Sequence, residues 1–305
     1  MAIAVSKQLR SFWQNPVTVK ELRGRMRGRR AFVVLTIYLL IMSGFISLVY
    51  MAYASAASGP YGPDPRAAGK VVFGSVLGVQ VFLVIFVGPA FTAGAISGEK
   101  ERQTYDLLRT TLLSAESFVT GKLLSALSYV FLLIFAAIPL QSIAFLLGGV
   151  SLLELFLSQA IIAVAAVTFA LYGLFCSSSM RTTLAASVAT FAGALFVTAG
   201  IPMIVLLFSI FLGPILFGSA SPGWISEAMV AYVGLFLAAT NLPATLAVSE
   251  QFLLQEDALF LFRTTFSGRS VWLFSPWPVF LLLYILLALL LYWLCVRNVR
   301  RISNK

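Results

Sequence analysis

The stretch Ser97–Thr111, SGEKERQTYDLLRTT, decides how this chain must be arranged, because it places six charged residues between two long apolar runs. The run Val71–Ile96 precedes it and the run Phe118–Leu147 follows it. Each run exceeds the roughly 20 residues that a helix needs to cross the hydrocarbon core of a bilayer. A short charged segment between two such runs is typical of a loop that connects two transmembrane helices.

The composition of the whole chain is that of a membrane protein. Its 305 residues are 60% hydrophobic and 10% charged, whereas soluble domains are about 45–50% apolar and about 25% charged. Four more runs are long enough to span a bilayer: Ala31–Tyr53, Leu155–Cys176, Thr183–Phe217 and Val279–Val296. We therefore predict an all-α fold, a polytopic membrane bundle of about six transmembrane helices that forms one domain over residues 1–305.

The distribution of lysine and arginine predicts the orientation, since cytoplasmic loops carry an excess of both residues. If the N-terminus is cytoplasmic and six helices cross, 17 of the 21 basic residues lie on the cytoplasmic side. We therefore expect a multi-pass protein of the cell (inner) membrane with both termini in the cytoplasm.

A weaker apolar run, Ala228–Val248, would move the basic C-terminal tail to the opposite side if it crossed the membrane. We expect instead a pair of short helices, re-entrant or interfacial, within an outer loop of residues 218–270. The sequence Asn241–Pro243 predicts the break between them, because proline disrupts a continuing helix.

Prolines also predict irregular points inside the spans. Pro89 and Pro139 lie within the second and third runs, and each should kink its helix. The fifth run, Thr183–Phe217, is too long for one straight span. Breaks at Gly200–Pro202 and Gly213–Pro214 favour a kink or a hairpin there.

Two other local patterns concern helix ends and helix packing. Ser151 and Glu154 form the pattern of a capping box at the start of the fourth span. The pairs Gly74–Gly78 and Gly94–Gly98 have the spacing that lets two helices approach closely in lipid.

The charged segment of residues 98–117 has a helical pattern of its own. Good helix formers dominate its first half, and Arg102 and Asp106 are spaced to pair on one helix face. Tyr105 and Leu108 share another face. These spacings predict a short amphipathic helix at the cytoplasmic interface. The alternative is a solvated loop whose charges only set the topology.

The N-terminal residues 1–30 carry a basic stripe next to the first span. Its members recur every three or four positions: Lys20, Arg23, Arg27 and Arg30. A helix with this stripe would lie along the headgroups, attracted to anionic lipid by roughly 1 kcal/mol per basic residue. The alternative is a plain positively charged anchor for the first span. Nucleic acid is a poor candidate partner, because the membrane flanks account for the net charge of +10.

The sequence lacks the groups on which most enzymes depend. It has no histidine. The pairs Gly69-Lys70 and Gly121-Lys122 are each followed by an aliphatic residue, so neither fits a phosphate-binding loop. The cores of the predicted spans contain no charged residue, which disfavours an ion-coupled carrier. We expect no catalytic residue, no metal and no cofactor in this chain.

Two segments resemble those of a known family, the membrane permease subunits of ABC exporters of the ABC two type. Residues 15–32, NPVTVKELRGRMRGRRAF, are similar to that family's amphipathic elbow helix. Residues 96–124, ISGEKERQTYDLLRTTLLSAESFVTGKLL, are similar to its coupling segment before the third span. Where the family often has glycine this chain has Gln103, which favours continuous helix over a turn.

The resemblance implies a permease that works as a homodimer or a heterodimer on separate ATPase subunits, with ATP hydrolysis confined to those partners. Its coupling helix would dock in a groove of the ATPase. Matched to that helix, the candidate docking residues are Glu99, Glu101, Arg102, Thr104, Asp106, Leu107 and Leu108. The uncharged spans favour an apolar or amphipathic cargo. The alternative function is that of a structural or sensory membrane subunit that transports nothing.

Overall fold

The structure is a computed structural model that describes residues 29–56, 64–103, 114–217, 223–256 and 259–303. Its helices are α1 (Arg29–Ala56), α2 (Pro65–Phe82), α3 (Gly88–Ala93), α4 (Ser97–Glu101), α5 (Ala115–Ala136), α6 (Ile138–Leu146), α7 (Leu152–Ser179), α8 (Thr183–Leu195), α9 (Ile201–Phe217), α10 (Trp224–Ala239), α11 (Leu242–Glu256) and α12 (Pro276–Ser303). Two strands, β1 (Leu261–Phe266) and β2 (Arg269–Phe274), form a small antiparallel sheet.

The predicted all-α membrane bundle is confirmed. Within the described residues, six helical runs are long and apolar enough to cross a membrane, and each overlaps one of the six predicted runs. We number them spans one to six: Phe32–Ala56, Pro65–Glu101, Ala115–Leu146, Leu152–Ser179, Thr183–Phe211 and Pro276–Arg300. The chain is therefore a multi-pass helical membrane protein. The elbow residues Lys20, Arg23 and Arg27 lie outside the described residues, and Arg30 lies in the first turn of α1.

Span four is the centre of the bundle, while spans one and five lie at its edge. In its most apolar window 67% of span four is buried inside the chain, against 6% for each of spans one and five. One cluster of buried side chains joins spans two, three, four and six, and it includes Phe73, Ile134, Phe169 and Phe280. A displacement of span four would therefore disturb most of the core.

The bundle has two ends that differ in chemistry. The charged end carries Glu101, the start of α5, the turn Met180–Thr182 between spans four and five, and Arg300. The hairpin end carries the start of α2, the turn between α6 and α7, and the β1–β2 sheet. The four basic residues expected on the outer side all belong to the hairpin end: Arg66, Lys70, Arg263 and Arg269.

Both predicted proline breaks are present in spans two and three. A π-helical turn, Leu83–Val87, directly precedes Pro89, and the helix of span three is interrupted at Ala137, before Pro139. Proline cannot donate a backbone hydrogen bond, so the helix must rearrange next to it.

Three glutamines form an uncharged polar network inside the bundle near the second break. The Gln80 amide donates to the Ile134 carbonyl at 3.2 Å. The amides of Gln141 and Gln159 donate to the Gln80 side-chain oxygen at 3.0 and 3.1 Å. The network thus links spans two, three and four by amide hydrogen bonds, a common means of joining helices in lipid.

Span five is one continuous helical run and not a hairpin. A π-helical turn, Phe196–Gly200, interrupts it just before Pro202, and α9 then continues through Pro214. Of the two predicted alternatives, a kink or a hairpin, the hairpin is wrong, and a π-turn lies just before the first predicted break. A π-turn satisfies the backbone less regularly than an α-helix and leaves carbonyls available to other donors.

The capping box is confirmed, and glycines mark one close contact. The Ser151 hydroxyl accepts a hydrogen bond from the Glu154 amide, and the Glu154 carboxylate accepts one from the Ser151 amide, both at 3.2 Å. A Cβ atom on Gly149 would lie 2.3 Å from the Arg66 carbonyl oxygen. The pair Gly74–Gly78, predicted from its spacing to allow close packing, has no neighbour within 4 Å of either Cβ position in the described chain.

Helices α10 and α11 form a pair whose tip reaches into the bundle. The break between them lies at Thr240 and Asn241, as the sequence predicts. The Thr240 carbonyl accepts a hydrogen bond from the Tyr284 hydroxyl at 3.0 Å, and Tyr284 lies about 12 Å, roughly two turns, from the start of α12. The Asn241 amide donates to the carbonyls of Val197 and Thr198 at 3.0 and 2.9 Å. The tip therefore lies beside the middle of span five.

The second helix of the pair, α11, returns to the hairpin end and carries a half-buried acid. Glu250 helps to line a cavity of about 20 Å³ together with Glu154 and Ser249. Burial raises the pKa of Glu250, the nearby Glu154 carboxylate raises it further, and Lys70 opposes both effects. The protonated form of Glu250 is thus favoured in the folded protein.

We expect Glu250→Gln to make the folded protein less sensitive to pH. When an acid has a higher pKa in the folded than in the unfolded state, the protein becomes less stable as the pH rises through the pKa of the folded state. The amide mimics the protonated acid, so the variant should be more stable than the wild type above that range and equal to it below. Thermal unfolding in detergent between pH 4 and 9 measures the difference. A constant difference at every pH would contradict this explanation.

The β1–β2 sheet is a hairpin that the sequence reasoning did not predict. Its register pairs Leu261 with Phe274 and Arg263 with Trp272. The turn residues Ser267 and Gly268 both have positive φ, 45° and 82°, as a tight two-residue hairpin turn requires. The hairpin packs along α10.

Candidate coupling site at the charged end

Helix α4, the short helix that ends span two, is attached to the end of span four at its first residues. The backbone amides of Ile96 and Ser97 both donate to the Ser177 hydroxyl, each at 2.9 Å. Ser97 and Ser177 are completely buried. The first amides of a helix have no partner within it, so a serine of α7 supplies the acceptor that α4 lacks.

Lys100 binds the C-terminal end of α7. Its Nζ atom lies 2.5 Å from the Ser178 carbonyl oxygen and 3.1 Å from that of Met180. The last carbonyls of a helix lack partners and form the negative end of its dipole. An ammonium group placed there satisfies the carbonyls and neutralises that end.

Glu101 binds the N-terminal end of α8. Its carboxylate oxygens accept hydrogen bonds from the Thr183 amide and the Thr183 hydroxyl, both at 2.8 Å. A negative charge is favourable at the positive end of a helix dipole. Lys100 therefore binds the end of span four, and the next residue, Glu101, binds the start of span five. Together they contact both sides of the turn Met180–Thr182 that joins these spans.

A third contact links α4 to span three. Lys122 Nζ lies 2.5 Å from a Glu99 carboxylate oxygen, and the side chains are only 10% and 22% exposed, respectively. Such a partly buried pair depends strongly on both partners being present, because removing one leaves the other charge poorly solvated. Span three therefore moves with α4 unless this pair breaks.

Span six joins the same end through two further contacts. The Asn298 amide donates to the hydroxyls of Ser178 and Ser179 at 3.2 and 3.0 Å. Arg300 pairs with Glu116 at 2.5 Å, but both side chains are well exposed, and exposed pairs contribute little to stability. The Asn298 contacts, which join span six to span four, are therefore stronger than the Arg300–Glu116 pair, which joins span six to span three.

The candidate docking residues divide into two groups in the structure. Glu99 and Glu101 are engaged within the chain, while Arg102 is exposed just beyond α4. Gln103 has a φ of 57°, so a left-handed turn follows α4, and the expectation of continuous helix there is wrong. The remaining candidates lie outside the described residues: Thr104, Asp106, Leu107 and Leu108.

The sequence reasoning missed the partners of the acidic residues. In the sequence, Lys100 and Lys122 contribute only to the count of basic residues expected on the cytoplasmic side, and no pattern predicts a role for the serines 177–179 in this site. Three consecutive serines at the end of an apolar run are a local signal for a helix end. Nothing local, however, indicates that a serine of span four caps a helix that ends span two.

Comparison with known proteins identifies no relative. No described protein family matches the chain, and no curated protein is significantly similar to it.

Proposed function

We propose that the chain is the membrane-spanning permease subunit of an ATP-driven ABC exporter, working as a dimer with separate ATPase subunits. The resemblance of residues 15–32 and 96–124 to that class supports the proposal. The observation that carries it is the bonding of α4, which is fixed to the ends of spans three, four and five. A segment that transmits force needs such attachments, because a free loop would move without its neighbours.

In this proposal Arg102 and the segment that follows it contact the ATPase on the cytoplasmic side. Closure of the ATPase pair displaces that segment, and α4 moves with it. Through their hydrogen bonds, Lys100 and Glu101 then move the turn Met180–Thr182. Through its ion pair with Lys122, Glu99 moves span three. Because span four is central, its displacement repacks the core and changes access to the cargo.

The apolar character of the bundle supports an apolar or amphipathic cargo. A cavity of about 620 Å³ lies between spans four, five and six, and Phe169, Phe196 and Leu287 help to line it. That volume is typical of small-molecule sites, about 300–1,000 Å³. The hydroxyls of Thr168 and Tyr284, also in the lining, donate to backbone carbonyls. The cavity therefore offers mainly apolar contact.

A charge reversal at the exposed end of α4 tests the docking role. We expect Arg102→Glu to reduce co-purification of the ATPase several-fold in mild detergent, because a reversed charge at an interface introduces repulsion. Arg66→Glu is the matched control, since Arg66 is equally exposed but lies at the hairpin end. Glu101→Arg is unsuitable, because it would also remove the cap of α8.

The decisive measurement is cargo movement in lipid vesicles that contain the permease and its ATPase. Transport that requires ATP, and that Arg102→Glu lowers in parallel with ATPase binding, would support the proposal. Movement without nucleotide would contradict it. Stable ATPase binding without any transport would favour the alternative, a structural or sensory subunit.

A further inference from the structure

The outward face of the β1–β2 hairpin combines exposed apolar side chains with an arginine. Directly paired residues of an antiparallel sheet share a face, so Arg263 and Trp272 lie side by side, with Leu261 next to them. Leu261 and Trp272 are 57% and 58% exposed, and Phe260, at the base of the hairpin, is 57% exposed. A sheet face in water would be expected to carry polar residues at these positions.

Two hydrogen bonds give the depth of this face relative to the spans. The Tyr284 hydroxyl binds the Thr240 carbonyl, about 12 Å along span six from its start at Pro276. The Tyr232 hydroxyl binds the Trp272 carbonyl, and Tyr232 lies about 12 Å back along α10 from Thr240. Trp272 is therefore level with the point where span six begins.

The two arginines of the hairpin lie at different levels. The Arg263 guanidinium is 6.0 Å from the Trp272 ring centre and donates to the Ser270 hydroxyl at 2.5 Å. The Arg269 guanidinium is 4.9 Å from the ring centre of Trp224, which lies about 12 Å farther along α10 than Tyr232. A headgroup layer is only about 5–8 Å thick on each side, so Arg263 falls within that layer and Arg269 beyond it.

We propose that the hairpin face of Leu261, Arg263 and Trp272, together with the exposed Phe260 at its base, binds anionic lipid headgroups in the leaflet at the hairpin end. The apolar side chains would contact the upper acyl chains, and the Arg263 guanidinium would bind the lipid phosphate. Trp and Arg are the residues that favour this boundary, and a guanidinium matches phosphate in charge and geometry.

Two observations favour a lipid over a protein as the occupant. The face adjoins the start of span six, because β2 leads into α12 through Ser275 alone. Among the described residues, neither Arg263 nor Arg269 pairs with a carboxylate, so the positive charge of Arg263 is available to a phosphate. The proposal requires only that the chain spans a membrane and is independent of transport.

Matched arginine variants test the binding. Native mass spectrometry of the full-length protein with phosphatidylglycerol should show that Arg263→Gln lowers occupancy of the retained lipid by about fivefold, the effect of one basic residue at a membrane surface. Arg269→Gln should change it little, and Arg263→Lys should retain part of it. Equal losses in both glutamine variants, or no loss in Arg263→Gln, would overturn the proposal, because binding would then not depend on this face.

Spin labels test the depth independently of the lipid. Leu261→Cys and Ser267→Cys place a nitroxide at the base and at the tip of the hairpin in vesicles that contain phosphatidylglycerol. The native cysteines 176 and 295 are buried, and the unsubstituted protein serves as the labelling control. We expect the label at 261 to be more accessible to oxygen and the label at 267 to a water-soluble nickel complex. Equal accessibility to the nickel complex would overturn the proposal.

Discussion

Lys100→Met is expected to destabilise the charged end of the bundle and, if the chain is the proposed exporter subunit, to uncouple ATP hydrolysis from transport. The substitution removes the ammonium group that binds the Ser178 and Met180 carbonyls. Hydrogen bonds to a charged group contribute about 1.5–3 kcal/mol each, but Lys100 is only half-buried and solvent screens its charge. We therefore expect the free energy of unfolding to fall by about 2 kcal/mol in all. The α4 helix should then move without carrying span four with it.

Two measurements distinguish this effect from a general weakening of the fold. Hydrogen exchange should accelerate in the turn Met180–Thr182 and not at the hairpin end. The proteoliposome assay should show ATP hydrolysis that continues while cargo movement falls. Arg102→Met is the control for stability, because it removes a neighbouring cation that is exposed. If Lys100→Met changed neither exchange nor transport, the proposed attachment of α4 to span four would be wrong.

Asn241→Ala is expected to detach the tip of the α10–α11 pair from span five. Asn241 is 3% exposed. Its side-chain nitrogen donates hydrogen bonds to the carbonyls of Val197 and Thr198. Its side-chain oxygen accepts a hydrogen bond from the backbone amide of Ala244. Buried groups left without partners cost about 1–3 kcal/mol each. Three groups lose their partner, so we expect a loss of at least about 3 kcal/mol, among the larger effects of single substitutions.

Asn241→Asp separates the two roles of this side chain. An aspartate retains the acceptor for Ala244 but loses both donors, and its charge faces the two carbonyls. When protonated it regains one donor, so the variant should become more stable relative to the wild type as the pH falls. Thermal unfolding of the two variants from pH 4 to 8 measures this. Asn298→Ala, at the half-buried charged end, is the control and should have a smaller effect.

The six spans were predictable because run length and apolar composition are local properties of the sequence. The same holds for the kinks near Pro89 and Pro139, the capping box at Ser151 and the break at Asn241, each of which depends on a few adjacent residues. The β-hairpin was missed although its signal is local. Two alternating runs separated by Ser267-Gly268 are a recognisable hairpin pattern.

The candidate site was only partly predictable, because its contacts join residues that are far apart in the chain. The charged stretch identified Glu99 and Glu101, but not that their partners are Lys122 and Thr183. The close approach of the backbone at Gly149 to Arg66 was equally invisible, whereas Gly74 and Gly78, whose spacing predicts close packing, have no close neighbour within the described chain. The spacing of residues in the sequence indicates which of them share a helix face. Only the three-dimensional structure shows which residues that face contacts.

The order of charge in α4 cannot be reversed by compensating mutations elsewhere. In an ordinary ion pair, exchanging the two signs restores attraction. Lys100 and Glu101, however, each face a backbone terminus whose polarity follows from the direction of the chain. An exchange of Lys100 and Glu101 would therefore set an anion against carbonyls and a cation against an amide, and no second substitution could invert either terminus. Any sequence that keeps this geometry must keep its basic residue before its acidic one.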